Sequence, residues 1–258
     1  MDQNIKTDLV IQDDQKVTLA PVRDLITEIK PDLETAKLSD EVKEVDSDNG
    51  YTRTGHSFDE TFLQRMFEQM KERKYQEFFT DFINGSRRRL QGQILVDLGA
   101  GNTNLGYCLS LLLGAEKYIA VEKYTKTVKQ LTEQLTKINI KNGELSLDKL
   151  STYDGRKFIK EQKIVPVNKL IPASVVQDKM LHFLMRLPDK SVSILTSGIH
   201  SFLIDNTEYR DAIAREIERV LSPTGIYISR HSNINTSNLS KRLELSNNEL
   251  EIKVYSKS

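Results

Sequence analysis

The sequence predicts a doubly wound α/β fold with a mostly parallel sheet and an N-terminal helical lid, and three observations carry that expectation. From about residue 91, short apolar runs alternate with helical patterns, the order that a parallel sheet with crossover helices requires. Runs such as SILTSG (193–198) and IYIS (226–229) are apolar without clean alternation, as in strands covered on both faces. A glycine-rich stretch, ILVDLGAGNTNLG at 94–106, joins the first of these strands to the first helix, where such sheets place their ligands.

With 258 residues the chain can bury a full core, so one catalytic domain with an appendage is expected. Basic and acidic residues balance at 37 each, which gives no reason to expect tight polyanion binding through bulk charge, although it does not rule out nucleic acid. The single cysteine, Cys108, excludes an intramolecular disulfide and any metal-ligand cysteine spacing, so no metal is expected. The opening MDQNIKTDLVIQDDQK lacks the basic-then-apolar order of a signal peptide, and no apolar run approaches a membrane helix. Together these features predict a cytoplasmic protein with no membrane partner.

Taken in order, residues 1–50 hold 13 acidic and 6 basic residues and no aromatic one, which reads as an acidic flexible segment. Within it Leu19, Val22, Ile26 and Ile29 have helical spacing, limited by Pro21 and Pro31, and offer an alternative reading as a partner-binding helix. Residues 51–90 read as the helical lid. Ser57 and Glu60 have capping-box spacing, and a stripe of Phe62, Leu63, Met66, Phe67 and Met70 continues through Phe78, Phe79, Phe82 and Ile83 to a stop at Gly85. The arginines of SRRRL (86–90) read as a solvated corner.

Residues 91–258 form the expected ligand-binding domain. QILVDL is its first strand, NLGYCLSLLLGA a helix ending at Gly114, and KYIAVEKY the second strand. TKTVKQLTEQLTKIN follows as a helix with Val128, Leu131, Leu135 and Ile138 on one face. An insertion is expected at about 140–172. Then come strand three at ASVVQD, strand four at SVSILTSG, the helix EYRDAIAREIERVL closed by Pro223 and Gly225, and strand five at GIYISRHS. The closing SNLSKRLELSNNELEIKVYSKS reads as a short helix and one final strand, too little for two further strands.

Gly99, Gly101 and Gly106 fall at the strand end, where glycine lets backbone approach a ligand and the next helix offers free N–H groups to an anion. A dinucleotide fingerprint needs glycine at position 104, where this chain has Asn104. Asp97 would also face a pyrophosphate at a cost on the order of a few kcal/mol in a cleft of reduced dielectric. S-adenosylmethionine reverses that sign, because it carries no phosphate but presents an ammonium and a sulfonium.

VDLGAGNTNLG then resembles the first motif of class I (Rossmann-like) S-adenosylmethionine-dependent methyltransferases, with Thr103 where the third glycine usually stands. Glu122, 21 residues after Gly101, resembles the family's acid for the two ribose hydroxyls, a role suited to a carboxylate. In VVQDKM, Asp178 resembles the acid for the adenine amino group, with Lys179 and Met180 beside the ring. LPDKSVSILTSGIH and REIERVLSPTGIYIS resemble the leads into strands four and five. The likeness covers about residues 91–230 and implies a cofactor site of Asp97, Gly99, Ala100, Gly101, Asn102, Thr103, Glu122, Lys123, Asp178, Lys179 and Ser197.

For the acceptor, TSGIHSF after strand four lacks the D/N-P-P-Y/F motif of enzymes that methylate exocyclic amines, and Cys108 lies in a helix rather than in a Pro-Cys nucleophile. The expected function is therefore methyl transfer to a small molecule or a protein side chain. Two alternatives stand beside it: an RNA methyltransferase, from the +7 balance of residues 51–258 and the arginines of SRRRL, and a non-catalytic S-adenosylmethionine-binding scaffold that engages a protein partner through the acidic N-terminus. His200, at the cleft mouth, is the candidate catalytic base, because histidine titrates near neutral pH. His231 is a weaker candidate, His182 reads as helix packing, and Tyr51, Arg53 and His56 are placed to close over a cofactor.

Overall fold

The structure, a computed structural model, describes residues 15–31, 72–102, 104–141, 144–146, 169–196, 207–229, 234–246 and 251–258. The elements begin with β1 (Gln15–Lys16), α1 (Val22–Leu25), α2 (Arg73–Leu90), β2 (Ile94–Leu98), α3 (Leu105–Leu112), β3 (Lys117–Glu122) and α4 (Thr125–Thr136). They continue with β4 (Asn139–Lys141), β5 (Glu144–Ser146), β6 (Ala173–Gln177), α5 (Met180–Arg186), β7 (Ser193–Thr196), α6 (Thr207–Val220), β8 (Tyr227–Ser229), β9 (Ser240–Ser246) and β10 (Glu251–Ser256).

The apolar runs pair as a seven-stranded sheet in the order β6-β3-β2-β7-β8-β10-β9. Strands β6, β3, β2, β7 and β8 are parallel, and β10 runs antiparallel to both β8 and β9. The order reverses at β2, whose two neighbours are β3 and β7, so the switch point lies at the carboxyl end of β2, directly before Gly99. Both faces are covered. One buried cluster joins Val96, Ile119 and Ile194 to Leu181, Phe183, Ile213 and Ile217, and another joins Leu95, Leu195 and Ile228 to Phe79, Phe82 and Leu109.

The C-terminus therefore carries two strands rather than the expected short helix and strand. Leu243 and Leu245 on β9, and Ile252 and Val254 on β10, recur every second residue, the strand period, and the two strands register from Glu251↔Ser246 to Ser256↔Ser240.

Of the expected lid, 51–90, the structure describes residues 72–90. Phe79, Phe82, Ile83 and Leu90 are buried in the cluster with Leu95, Leu113 and Ile252, so α2 covers a face of the sheet. Gly85 does not stop the helix, which runs on to Leu90 and gives way at Gly92, in the left-handed region at φ 74°. Burial of Leu90 and its apolar neighbours, about 1.5–3 kcal/mol per large side chain, outweighs the roughly 1 kcal/mol that an interior glycine costs. Of SRRRL, Arg88 is exposed, but Arg87 is half-buried and its Nε donates to the Leu112 carbonyl at 2.9 Å, tying α2 to the end of α3. Residues 57–71, which hold the predicted capping box and the Phe62 to Met70 stripe, lie outside the described residues, as do Tyr51, Arg53 and His56.

The acidic N-terminal segment contains a docked strap, which corrects its reading as flexible throughout. Ala20 N–H donates to the Ala173 carbonyl and Ala173 N–H to the Thr18 carbonyl, each at 2.9 Å, so the strap adds a parallel bridge to the free edge of β6. Leu25 and Ile26 are buried in the main core, with Val22 and Ile29 packed against it. The apolar stripe proposed for a partner thus binds this chain's own sheet. Lys117 Nζ donates to the Leu25 carbonyl at 3.2 Å and Lys30 N–H to the Arg186 carbonyl at 3.0 Å, fixing the strap beneath β3 and α5. Of the expected insertion, 140–172, the structure describes residues 140–141, 144–146 and 169–172. Its β4 and β5 form a hairpin that pairs with β1 in a separate three-stranded sheet. Among the described residues no helix is long and apolar enough to cross a membrane.

Candidate functional site

The turn after β2 is built on two glycines in the left-handed region, Gly99 at φ 69° and Gly101 at φ 70°. Gly99 and Ala100 N–H both donate to the Val121 carbonyl, at 3.0 and 3.2 Å, which binds the turn to the end of β3. Gly101 N–H donates instead to Glu122 Oε2 at 3.1 Å. The acid at the second strand end and the glycine turn are therefore one hydrogen-bonded unit.

Glu122 is 9% exposed and accepts three backbone donors: Gly101 at Oε2, and Lys123 and Tyr124 N–H at Oε1, 2.9 and 3.3 Å away. A carboxylate has about four lone-pair sites. One remains, on Oε2, for a ligand hydroxyl. The side chain is fixed before any ligand arrives, which removes an ordering cost from binding. Lys123 extends over the ring of Tyr124, with Nζ 5.6 Å from the ring centroid, and Tyr124 is the most exposed large side chain at this rim.

Asp97 is fully buried and its Oδ2 accepts the Tyr118 hydroxyl at 3.0 Å. Its carboxylate rests against the first turn of α3: a Cβ built on Gly106 would lie 1.9 Å from Asp97 Oδ2 and 2.5 Å from the Tyr118 oxygen. The late glycine at 106, which spoils the dinucleotide spacing, is there because the carboxylate occupies the space of a side chain. Asp97 lies beneath the turn and is closed to direct contact in this arrangement.

Asp178 N–H donates to the Glu122 carbonyl at 3.1 Å, which places it beside Glu122 at the end of β6. Its Oδ1 accepts Lys179 N–H and meets His182 Nδ1, both at 2.7 Å, and its Oδ2 accepts Arg186 at 3.1 Å. His182 thus packs on its helix as expected, but as a polar partner of Asp178. Asn102 donates to Gln130 Oε1 at 3.3 Å, while its own buried Oδ1 has no donor among the described residues. An acceptor in the glycine turn without a partner among the described residues fits a site whose ligand brings hydrogen-bond donors.

Thr103, Ser197, His200 and His231 lie outside the described residues. The turn and the ends of β3 and β6 bring Asp97, Gly99, Ala100, Gly101, Asn102, Glu122, Lys123, Asp178 and Lys179 to one end of the sheet. Sequence reasoning missed Tyr118, Gln130 and Arg186. Tyr118 had a signal, because a tyrosine inside the buried run KYIAVE needs a partner for its hydroxyl. No group of three or more His, Cys, Asp or Glu side chains able to hold a metal occurs among the described residues.

Burial pushes the Cys108 thiol from its ordinary 9.0 up to about 12. Cys108 therefore stays a thiol at neutral pH, which agrees with its exclusion as a nucleophile. Because the folded value is raised, folding stability is unaffected below about pH 9 and falls above it, where only the unfolded thiol ionises. Comparing denaturant midpoints of the wild type and Cys108→Ala at pH 8 and pH 10 should show about 1 kcal/mol more alkaline loss in the wild type.

No family profile matches the chain, and no curated protein matches it. Solved structures do. The rRNA methyltransferase aviRa of Streptomyces viridochromogenes has TM-score 0.43 and 10% identity, over 68% of this chain and 82% of that one. The ribosomal protein L11 methylase of Lactobacillus delbrueckii subsp. bulgaricus has TM-score 0.42 and 12% identity, over 69% and 78%. The TehB-like SAM-dependent methyltransferase of Corynebacterium glutamicum has TM-score 0.40 and 10% identity, over 76% and 100%. The chain's own strand order identifies the architecture: five parallel strands reversing at β2, with the seventh strand inserted antiparallel beside the fifth, form a doubly wound sheet, a Rossmann-like α/β fold.

Proposed function

We propose that the protein is an S-adenosylmethionine-dependent methyltransferase whose acceptor is a small molecule or a protein side chain. The observation that carries this reading is the pairing of Glu122 with the glycine turn through Gly101 N–H at 3.1 Å, which leaves a buried carboxylate with one free acceptor position at the switch point. That arrangement suits a ribose hydroxyl. A second buried carboxylate, Asp97, lies under the same turn, where it opposes a pyrophosphate and favours an ammonium.

In this reading Glu122 binds ribose and the turn residues Gly99, Ala100, Gly101 and Asn102 line the amino-acid end. Asp178, held by His182 and Arg186, stands at the adenine end with Lys179. When bound, the cofactor supplies an already activated methyl group, so the chain has only to align an acceptor and, where that acceptor carries a proton, to remove it. His200 is the proposed base, and His200→Ala then lowers turnover while cofactor affinity holds.

Titration calorimetry of the purified protein with S-adenosylmethionine tests the cofactor, and absence of binding ends this reading. Incubation with methyl-labelled S-adenosylmethionine and cell extract tests the acceptor. Label in small molecules or protein supports the proposal, and label in RNA replaces it. Binding without transfer to any fraction, together with loss of a protein partner on deleting the acidic N-terminal residues, would instead favour the scaffold role.

A further inference from the structure

We propose that Tyr118 is a positioning residue of this site: its hydroxyl holds the buried Asp97 carboxylate in the orientation that attracts the ammonium of the bound methyl donor. The inference rests on the S-adenosylmethionine reading and adds to it a residue outside the glycine turn and the acidic strand ends.

Three observations meet at this point. Tyr118 and Asp97 are both fully buried, and their oxygens are 3.0 Å apart. The two residues stand on adjacent parallel strands, with Asp97 level with Ala120 and Tyr118 one pleat earlier on the same face, so the hydroxyl reaches up the sheet towards the switch point. Gly106 then presses on both oxygens, since a Cβ there would meet them at 1.9 and 2.5 Å. A short acidic side chain in such an enclosure has little freedom to turn once a donor from below holds one oxygen. Its charge, screened little by water, acts strongly over the few ångströms to the turn.

Tyr107 supplies the contrast. Its ring is stacked edge-on against Tyr118, with centroids 5.6 Å apart, and it is equally buried, but its hydroxyl donates to the Ile171 carbonyl at 2.9 Å and not to the acid. A general need for buried tyrosine hydroxyls in this region would show at both positions. A role exerted through Asp97 would show only at Tyr118.

The test uses two non-reactive probes, S-adenosylhomocysteine and 5′-methylthioadenosine, which share the nucleoside and differ in the ammonium-bearing end. Calorimetry on the full chain is expected to show Tyr118→Phe weakening S-adenosylhomocysteine by about tenfold, the scale of one hydrogen bond to a charged group, with 5′-methylthioadenosine unchanged. Tyr107→Phe is expected to leave the ratio of the two affinities unaltered. Equal losses on both probes, or the same ratio change in Tyr107→Phe, would overturn the assignment.

Asp97→Asn and the double variant Asp97→Asn/Tyr118→Phe close the cycle, and they keep it testable if Tyr118→Phe alone does not fold, because the carboxylate and the hydroxyl that holds it are then removed together. The two are expected to bind S-adenosylhomocysteine alike, and a further loss in the double variant would show that Tyr118 acts independently of the acid. Failure of the wild-type protein to bind either probe would overturn the methyl-donor reading itself, and this inference with it.

Discussion

Glu122→Gln is expected to weaken S-adenosylmethionine binding about 30-fold or more, roughly 2 kcal/mol, measured by calorimetry at fixed pH and salt. The acid accepts from Gly101, Lys123 and Tyr124 N–H and can accept only one bond more. An amide in its place keeps one acceptor oxygen and turns an NH2 group towards backbone donors, so at least one N–H loses its partner and the side chain must rotate. The turn at Gly101 is then released along with the ribose acceptor. In the proposed site, replacing the acid therefore removes the ribose contact and loosens the loop beside it, and both effects are expected to lower affinity. Binding that stays within twofold of the wild type would remove Glu122 from the site.

Gly106→Ala is expected to lower stability by about 3 kcal/mol, a melting shift of roughly 6–12 °C for a chain of this size, and to abolish measurable cofactor binding. The added carbon would stand 1.9 Å from Asp97 Oδ2, with the Tyr118 oxygen 2.5 Å away, so neither oxygen can stay where it is. The acid has no solvent to move into, because it is fully buried. Either α3 lifts from the sheet or the Tyr118 to Asp97 bond breaks, and a buried carboxylate loses a hydrogen bond, the costlier kind of loss. Gly85→Ala is the control. Nothing lies within 4 Å of a Cβ there, the position is inside α2, and the substitution is expected to stabilise by about 0.5–1 kcal/mol. A melting temperature for Gly106→Ala equal to that of the wild type would show that the helix and the acid are not in the close contact described.

The parts of the site that could be read from the sequence are those whose chemistry is local in the chain. ILVDLGAGNTNLG announces a strand, a turn needing positive φ and a helix within thirteen residues, and both Gly99 and Gly101 do adopt it. Glu122 could be placed because the apolar run KYIAVE ends on it. Failures arose where a weak local signal met a strong distant one. Gly85 reads as a helix stop, yet burial of the residues on either side carries α2 through it. SKRLELS contains lysine, arginine and glutamate suited to a helix, yet Leu243 and Leu245 recur at the strand period and pair with Val254 and Ile252.

The N-terminal segment is the clearest case. Its acidity and lack of aromatic residues describe an unfolded composition, while Leu25 and Ile26 are buried against strands about a hundred residues or more further along the chain. No local pattern distinguishes an apolar stripe that binds a partner from one that binds its own sheet edge, since both need the same spacing. The same limit applies to Asp178. The chain shows an acid at a strand end, but its charge is shared with His182 and Arg186 only because α5 starts beside it.

Composition and spacing were therefore enough for the class of fold and the switch point, because strand period and glycine conformation are properties of neighbouring residues. Seven strands instead of six, a helix that runs through Gly85 to cover a face of the sheet, the strap on β6 and the burial of Asp97 under Gly106 with Tyr118 below it came from the folded chain. Each of these depends on which surfaces meet, and burial free energy summed over contacts between distant segments outweighs the smaller local preferences that a linear reading can see.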